Sequence, residues 1–288
     1  MRGKVVLITG GNSGIGRVAA VELARLGATV LITARDEAKG ADALAEVRRR
    51  SGREDAAVLP LDLGDLRSVR ALAERVLGGY DRLDVLVNNA GGVLSERTLT
   101  ADGFEATFGV NHLGHFLLTE LLVGRLRRSA PARIVNVSSV AHRFVVAGFS
   151  FADPQFERRR YRGVAAYNQS KLANILFTME LARRLTGTGV TANAMHPGAV
   201  ATGFGSAEDT KGIERVAMVL GRPFLISPER GARTLVYLAS SSAVAGVTGG
   251  YFVRCRMHTP SRAARDPGAA RRLWELSEQL LEQAGAGR

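Results

Sequence analysis

The order of hydrophobic and polar residues alternates between two periods along the chain. Short apolar runs, typical of buried strands, are followed by longer stretches in which apolar residues recur at helical spacing. The predicted strands cover residues 4–9, 29–33, 57–61, 85–87, 133–137, 190–195 and 250–253. The predicted helices cover residues 16–26, 37–50, 66–77, a long segment within 101–126, 165–185, a helix from a Ser227-Pro228 start to about 239, and 267–283.

Strands that alternate with helices need crossover connections, which make neighbouring strands parallel and cover both faces of the sheet. We therefore predict an α/β fold with a single doubly wound, Rossmann-type domain. The alternation continues through the second half, so we expect one domain over residues 1–288. Its dinucleotide-binding part covers about residues 1–140, and its catalytic and substrate part covers about residues 141–288.

Composition narrows the class of protein. Of the 288 residues, 46% are hydrophobic and 23% are charged, which excludes a disordered or fibrous protein. The single cysteine, Cys255, excludes an internal disulfide and a cysteine-based metal site. No apolar run reaches the ~18 residues that a membrane-spanning helix needs. These features predict a cytoplasmic protein without a membrane span.

The chain is strongly basic, with 39 Lys and Arg against 27 Asp and Glu and a formal net charge of +12. Most of the excess is arginine clustered at predicted helix ends or in loops, where solvated cations are favourable. No aromatic stripe or DNA-reading motif accompanies these clusters, so we expect no specific nucleic-acid partner. An acidic partner and a homo-oligomer both stay open.

A glycine-rich turn follows the first predicted strand and leads into the first helix. A dinucleotide pyrophosphate needs main-chain N–H groups, room for close approach and the positive end of a helix, and glycines at this junction supply them. The spacing is Gly-x3-Gly-x-Gly. The predicted cofactor contacts of this turn are Gly10, Asn12, Ser13, Gly14, Ile15 and Gly16.

A tyrosine and a lysine are the strongest catalytic candidates. Tyr167 and Lys171 are four residues apart on a predicted helix and therefore share one face. A free phenol has a pKa of about 10, and we expect the nearby ammonium to lower it, so that Tyr167 serves as a general acid/base. Ser139 ends the fifth strand and could hold a substrate oxygen. Asn111 lies in the long helix before it.

Together these motifs resemble the short-chain dehydrogenase/reductase family. The glycine spacing and the run Asn88-Asn89-Ala90-Gly91 after the fourth strand match two signatures of that family. Segments 110–116, 134–139 and 170–174 are similar to its retinol dehydrogenase branch. The resemblance covers nearly the whole chain.

The resemblance implies roles for particular residues. The catalytic set is Asn111, Ser139, Tyr167 and Lys171, in which Asn111 organises a water that links Lys171 to solvent. Ser138 is the alternative serine, although Ser139 aligns better. Beyond the glycine turn, the implied cofactor contacts are Asp62, Leu63, Asn88, Ala90, Gly91, Tyr167, Lys171, Pro197, Gly198, Val200 and Thr202.

The residues after the second strand predict which cofactor binds. The family position that is often acidic is Ala34, and Arg35 follows it. A guanidinium can hold a 2′-phosphate, whereas a carboxylate would repel it, so NADP(H) is favoured. The alternative is that Arg35 only starts a solvated helix that Asp36 caps.

These observations predict an NADP(H)-dependent oxidoreductase that interconverts an alcohol and a carbonyl on a lipophilic small molecule. The alternative is a cofactor-binding sensor or scaffold without turnover. We expect no metal, because His112 and His115 have no third ligand in sight and fit a packed or hydrogen-bonded role.

The connection over residues 141–163 is long for a strand-to-helix link. We expect it to form a lid over an apolar substrate, since it contains Phe144, Val145, Val146, Phe149, Phe151 and Phe156. The alternative is that these side chains pack the connection onto the body of the protein or into a subunit contact.

Overall fold

A computed structural model describes residues 1–198 and 226–285. Its strands are β1 Val5–Ile8, β2 Thr29–Ala34, β3 Ala57–Pro60, β4 Val85–Asn88, β5 Ala132–Val137, β6 Val190–His196, β7 Tyr251–Val253 and β8 Arg256–His258. Its α-helices are α1 Gly14–Arg25, α2 Glu37–Ser51, α3 Leu66–Gly79, α4 Ala106–Phe108, α5 Gly114–Arg128, α6 Gly163–Arg184, α7 Pro228–Ser240 and α8 Pro267–Gln283. The predicted elements lie within a few residues of these bounds, apart from β8 and the interruption between α4 and α5.

The strands form one sheet in the order β3-β2-β1-β4-β5-β6-β7-β8. Every neighbouring pair is parallel except the last, in which β8 runs antiparallel to β7. The predicted doubly wound α/β fold is confirmed. β8 was not predicted, because it has only three residues, all of them exposed. The strand order reverses between β1 and β4, where ligands bind in folds of this kind.

Each of the central strands contributes side chains to an apolar core on either face of the sheet. In β1, Val5 and Leu7 join the core formed with α3, α5, α6 and α8, whereas Val6 and Ile8 join the core formed with α1, α2 and α7. Both faces are covered, so these strands read as continuous apolar runs rather than as alternating ones.

The long helix predicted within residues 101–126 is interrupted by a π turn, Gly109–Leu113, between α4 and α5. Glu105 caps α4, because its carboxylate accepts from the N–H groups of Thr107 at 2.7 Å and Phe108 at 2.8 Å. Gly114 starts α5, where a Cβ would lie only 2.6 Å from the carbonyl oxygen of Leu63. Periodicity cannot reveal such a local widening, which often occurs at functional sites.

The terminal helix α8 packs on the core through Trp274. The Trp274 ring is 4.8 Å from the Phe116 ring and 5.7 Å from the Phe177 ring. Its indole N–H donates to Glu278 at 2.8 Å. Among the helices that the structure describes, none is both long and apolar enough to cross a membrane.

Candidate active site

The glycine turn joins β1 to α1 at the carboxyl edge of the sheet. Gly10 and Gly14 have φ of +63° and +52°, a region that side chains disfavour. A Cβ on Gly16 would lie 2.5 Å from the carbonyl oxygen of Gly10 and 2.6 Å from the amide nitrogen of Asn89. Gly10 and Gly14 therefore shape the turn, and Gly16 lets α1 pack directly against it.

Hydrogen bonds hold the glycine turn against the end of β4. The Asn89 side chain donates to the carbonyl oxygen of Thr9 at 2.8 Å. The Thr9 hydroxyl oxygen accepts from the main-chain N–H groups of Asn89 at 2.9 Å and Ala90 at 3.0 Å. Sequence reasoning missed these roles of Thr9 and Asn89. It also missed Gly11, where a Cβ would lie 2.6 Å from the Ile32 side chain.

The start of α1 fits an anionic pyrophosphate. Ser13 is its exposed N-cap residue and makes no side-chain capping bond, and the first turn contains no acidic residue. The helix has 12 residues, so its free N–H groups and dipole favour an anion at this end. The predicted contacts of Ile15 and Leu63 are limited to main-chain atoms, because both side chains are buried in the apolar cores.

Arg35 and Asp62 lie at the ends of neighbouring strands. Arg35 follows β2, is exposed and makes no hydrogen bond or ion pair with any residue that the structure describes. Asp36 caps α2 by accepting from the N–H of Lys39 at 2.8 Å, as the alternative interpretation predicts for Asp36. The Asp62 carboxylate accepts from the N–H of Gly64 at 2.8 Å and stays partly exposed after β3.

The side chain of Asn88, a predicted cofactor contact, is hydrogen-bonded within the protein, which leaves only its main chain for a cofactor. It is buried and donates to Thr119 at 3.0 Å and to Asn136 at 2.8 Å. Asn136 in turn donates to Thr178 on α6 at 2.9 Å. Because side chains alternate along a strand, this last residue of β4 points into the layer between the sheet and the helices. Its side chain is therefore a buried link between β4, β5 and α5, and Asn136 extends this link to α6.

Tyr167 and Lys171 lie on one face of α6, as their spacing predicts. The Lys171 ammonium is 5.5 Å from the centre of the Tyr167 ring and donates to the carbonyl oxygen of Val137 at 3.2 Å. Lys171 is buried, and this burial lowers the pKa of its ammonium to about 8.

The two serines after β5, Ser138 and Ser139, have different hydrogen-bond partners. The buried Ser138 hydroxyl donates to the carbonyl oxygen of Lys171 at 2.7 Å, so it is occupied by the α6 main chain. The Ser139 oxygen accepts from the N–H of Ala141 at 3.2 Å, and Ser139 also hydrogen-bonds Tyr167. Ser139 is therefore the serine that faces the tyrosine.

Burial raises the pKa of Tyr167 to about 12, and the hydrogen bond from Ser139 only opposes this shift. The expectation that Lys171 lowers this pKa below that of a free phenol is wrong for this structure. Desolvation penalises the phenolate more than its neighbours stabilise it. The Tyr167 hydroxyl is therefore protonated across the physiological range.

Asn111 lies in the π turn and fixes the chain beside Lys171. Its amide donates to the carbonyl oxygen of Gly92 and to Ser170, both at 2.9 Å, and its oxygen accepts from the N–H of Gly92 at 2.9 Å. A Cβ on Gly91 would lie 2.8 Å from the Asn111 oxygen and 3.4 Å from the Lys171 nitrogen. Asn111 and Lys171 therefore meet at the predicted contact Gly91.

The loop after β6 is described only at its start. The N–H of Gly198 donates to the His196 ring at 3.3 Å, and Gly198 has φ of +98°. Pro197 precedes it. The predicted nicotinamide contacts Val200 and Thr202 lie outside the described residues.

The two helical histidines are hydrogen-bonded within the protein, as predicted. His112 lies 2.8 Å from the Ser277 hydroxyl, and His115 lies 2.9 Å from the Thr9 hydroxyl. Within residues 1–198 and 226–285, no group of three or more His, Cys, Asp or Glu side chains could hold a metal ion.

The connection over residues 141–163 divides into an early part, up to residue 148, and a later part. In the early part, Phe144 is 72% exposed and Val146 is 90% exposed. In the later part, Phe149 and Phe156 are buried. The packing interpretation therefore describes the later part, and only the early part presents the apolar surface that a lid needs.

Hydrogen bonds anchor the later part to the body. The Asp153 carboxylate accepts from the N–H groups of Glu157 at 2.7 Å and Arg159 at 3.1 Å. Gln169 on α6 donates to the carbonyl oxygen of Pro154 at 2.8 Å and accepts from Arg159 at 2.7 Å. These bonds fix the later part directly before α6.

Comparisons with known proteins identify the family. A family model described as short chain dehydrogenase matches residues 4–151, and one described as enoyl-(acyl carrier protein) reductase matches residues 155–254. Retinol dehydrogenase 12 from Mus musculus is 47% identical over 97% of this chain and 86% of its own length. The chain belongs to the short-chain dehydrogenase family.

Other known proteins are similar to this chain over nearly its whole length. Retinol dehydrogenase 14 from Homo sapiens is 46% identical over 98% of this chain and 87% of its own length. The crystal structure of an uncharacterised Mycobacterium paratuberculosis protein is 40% identical, with a TM-score of 0.77 over 98% of this chain and 94% of that one. The resemblance to the retinol dehydrogenase branch is confirmed.

Two solved structures similar to this chain contain different cofactors. The Pseudomonas aeruginosa RhlG/NADP active-site complex is 29% identical, with a TM-score of 0.69 over 94% of this chain and 97% of that one. A 3-ketoacyl-(acyl-carrier-protein) reductase from Brucella melitensis, complexed with NADH, is 26% identical, with a TM-score of 0.66 over 87% of this chain and 96% of that one. This short-chain dehydrogenase is an alcohol/carbonyl oxidoreductase with a nicotinamide cofactor.

Proposed function

We propose that this protein interconverts an alcohol and a carbonyl on a lipophilic small molecule, with NADP(H) as cofactor and Tyr167 as general acid/base. The observation that carries the proposal is the meeting of Ser139, Tyr167 and Lys171 beside the carboxyl edge of the sheet. The glycine turn opens at the same edge and fits a dinucleotide.

The bound nicotinamide supplies or accepts the hydride. In the direction of reduction, Tyr167 donates the proton of its hydroxyl to the substrate oxygen as negative charge develops there. Ser139 donates a hydrogen bond to the same oxygen and stabilises that charge. Lys171, whose ammonium lies 5.5 Å from the Tyr167 ring, favours the phenolate that remains after proton transfer. Oxidation reverses these roles.

The preference for NADP(H) rests on Arg35. Its exposed guanidinium has no partner among the described residues, so it is free to bind a 2′-phosphate. Ala34 places no carboxylate at the end of β2 that would repel one. Asp36, the acid that follows Arg35 in the sequence, is already bonded to the start of α2.

The preference for a lipophilic substrate rests on the early part of the 141–163 connection. Phe144 and Val146 expose large apolar surfaces close in sequence to Ser139. The curated relatives are named retinol dehydrogenases, and a retinoid is a long apolar molecule that ends in an alcohol or aldehyde. Retinal is therefore the first substrate to test.

A screen of aldehydes and ketones, followed by NADPH absorbance, tests the proposal. We expect turnover of retinal and of other apolar carbonyls, with a lower kcat/KM for small polar ones and a lower rate with NADH. The rival function, a sensor without turnover, predicts tight NADPH binding and no absorbance change with any carbonyl. The single-domain organisation and the cellular compartment stay predictions.

A further inference from the structure

Two buried histidines one helical turn apart, His112 and His115, have no role in the proposed mechanism. His112 stacks on Phe108 at 5.1 Å and pairs with Ser277 of α8, so it connects two helices. His115 lies three residues further along, at the start of α5, and contacts two parts of the candidate active site rather than α8. Its Nδ1 lies 3.2 Å from the main-chain oxygen of Asn111, and its Nε2 lies 2.9 Å from the Thr9 hydroxyl.

The direction of both hydrogen bonds follows from the groups involved. A carbonyl oxygen only accepts, so Nδ1 of His115 carries a proton and donates to Asn111. Burial lowers the pKa of His115 to about 4, so the ring is neutral near pH 7 and Nε2 is an acceptor. The Thr9 oxygen already accepts from the N–H groups of Asn89 and Ala90. Its own proton has two acceptors within reach, Nε2 of His115 at 2.9 Å and the carbonyl oxygen of Val87 at 3.3 Å, and Nε2 is the nearer of the two.

His115 thus connects the glycine turn to the chain beside Lys171. Thr9 is the residue directly before Gly10, and its hydroxyl holds the end of β4. Asn111 lies against Gly91 together with the Lys171 nitrogen. The charge of Lys171 also contributes to lowering the pKa of His115, after burial, which indicates that the two groups are close.

We propose that His115 is a positioning residue, which holds the main chain of Asn111 beside Lys171 and joins it to the glycine turn through Thr9. A π turn departs from regular helix geometry. The hydrogen bond from the His115 side chain, added to the main-chain bonds of the helix, fixes the direction of the Asn111 carbonyl. The inference rests on the proposed function, because this placement affects the reaction only if Tyr167 and Lys171 transfer a proton.

Two conservative substitutions separate the two bonds. In His115→Asn, the shorter amide keeps a donor near the Nδ1 position, toward Asn111, and loses the contact with Thr9. In His115→Gln, the longer amide keeps an acceptor near the Nε2 position and loses the donor toward Asn111. We expect His115→Asn to retain more of the kcat, and His115→Gln to lose about 10- to 100-fold in kcat with a shifted pH profile. The KM for the carbonyl should change little in both.

His112→Asn is the matched control, since His112 is equally buried and belongs to the same helical segment. It removes a contact with α8 and should lower the melting temperature while leaving kcat and its pH profile unchanged. If His115→Gln likewise lowers only the melting temperature, His115 is a structural residue and the proposal is overturned.

A measurement without turnover keeps this inference separate from the proposed function. Histidine ¹H–¹⁵N correlation spectra, assigned by the resonance that His115→Asn removes, should show a neutral ring protonated at Nδ1 from about pH 6 to 8. A ring protonated at Nε2, or one that titrates in this range, overturns the proposal.

If the unmodified protein reduces no carbonyl, the proposed function fails. The placement of Asn111 is then tested by amide shifts at residues 91 and 111, which His115→Gln should move and His112→Asn should not. Unmoved shifts would overturn the proposal too.

Discussion

The two ends of the candidate site use different parts of the polypeptide. At the glycine turn, the side chain of the N-cap residue Ser13 does not cap the N–H groups that begin α1, and Gly10 and Gly14 adopt φ values of +63° and +52° that side chains disfavour. At α6 the reactive groups are the side chains of Tyr167 and Lys171, and burial opposes the charged form of both. The first end depends on backbone shape, and the second depends on electrostatics.

This difference predicts different consequences of mutation. Changes at the glycine-turn end should alter the affinity for cofactor with little effect on pH dependence. Changes at the α6 end should alter turnover, and they should alter stability in a pH-dependent way. Burying the Lys171 ammonium is unfavourable, so the α6 end carries a cost in folding free energy that the glycine turn does not.

The largest effect is expected for Tyr167→Phe, which keeps the ring and removes the proton. Turnover should fall by at least about 10²-fold, because general acid catalysis is lost. NADPH binding, followed by protein fluorescence, should persist, since the glycine turn is untouched. Near-normal turnover in this variant would show that Tyr167 is not the general acid. The difference proposed between the two ends of the site would then be wrong.

Lys171→Met tests the folding cost at the α6 end. Burial lowers the pKa of Lys171 from 10.5 to about 8, which corresponds to at most roughly 3 kcal/mol of destabilisation. Between these values the unfolded chain binds the proton more tightly, so stability of the unmodified protein rises with pH. The variant should be more stable below about pH 8, and this advantage should disappear toward pH 10.5.

Thermal unfolding of both proteins across that range checks the prediction. Lys171→Met should also be inactive, which separates function from stability at one residue. A variant that is less stable at every pH would show that the Val137 contact outweighs the cost of burying the charge.

At the glycine-turn end, the choice between NADPH and NADH should depend on side chains at the end of β2 rather than on the backbone. Ala34→Asp combined with Arg35→Ser should shift the preference from NADPH toward NADH, because a hydrogen bond to a charged group contributes about 1.5–3 kcal/mol. The ratio of kcat/KM for the two cofactors is the measurement. The pH profile should stay unchanged. A native preference for NADH in side-by-side kinetics would contradict the assignment of Arg35.

The smallest effect concerns the early part of the 141–163 connection. Phe144→Ser with Val146→Ser should raise the KM for bulky apolar carbonyls roughly fivefold, equivalent to about 1 kcal/mol of lost apolar contact, and leave small substrates unaffected. Phe149→Ser, in the buried later part, should instead lower the melting temperature. Equal changes for large and small substrates would exclude the early part from substrate binding.

Several features of the site could be predicted because they depend on local spacing. A strand, a glycine-rich turn and a helix in that order predicted the geometry around Gly10 and Gly14. A separation of four residues placed Tyr167 and Lys171 on one helical face. The choice of Ser139 over Ser138 came from resemblance alone, and the structure explains it, since the α6 main chain occupies the Ser138 hydroxyl.

Other features depend on neighbours that are distant in the chain. Asn88 belongs to a signature motif, yet its side chain turns inward to Thr119 and Asn136. The pKa of Tyr167 moves upward because α6 is buried at this point, which no spacing rule reports. The roles of Thr9 and His115 emerge only when β1 and α5 are brought together.

The sequence by itself determined the alternation of strands and helices, the glycine turn and the helical face that carries the tyrosine and lysine. Each of these follows from the spacing of residues within one strand, turn or helix. Tertiary structure alone decided which polar side chains are hydrogen-bonded inside the protein and which apolar residues of the 141–163 connection are buried. It also decided the direction of each pKa shift. These properties depend on solvent exclusion and on contacts between elements, and neither is encoded in the spacing of residues within one element.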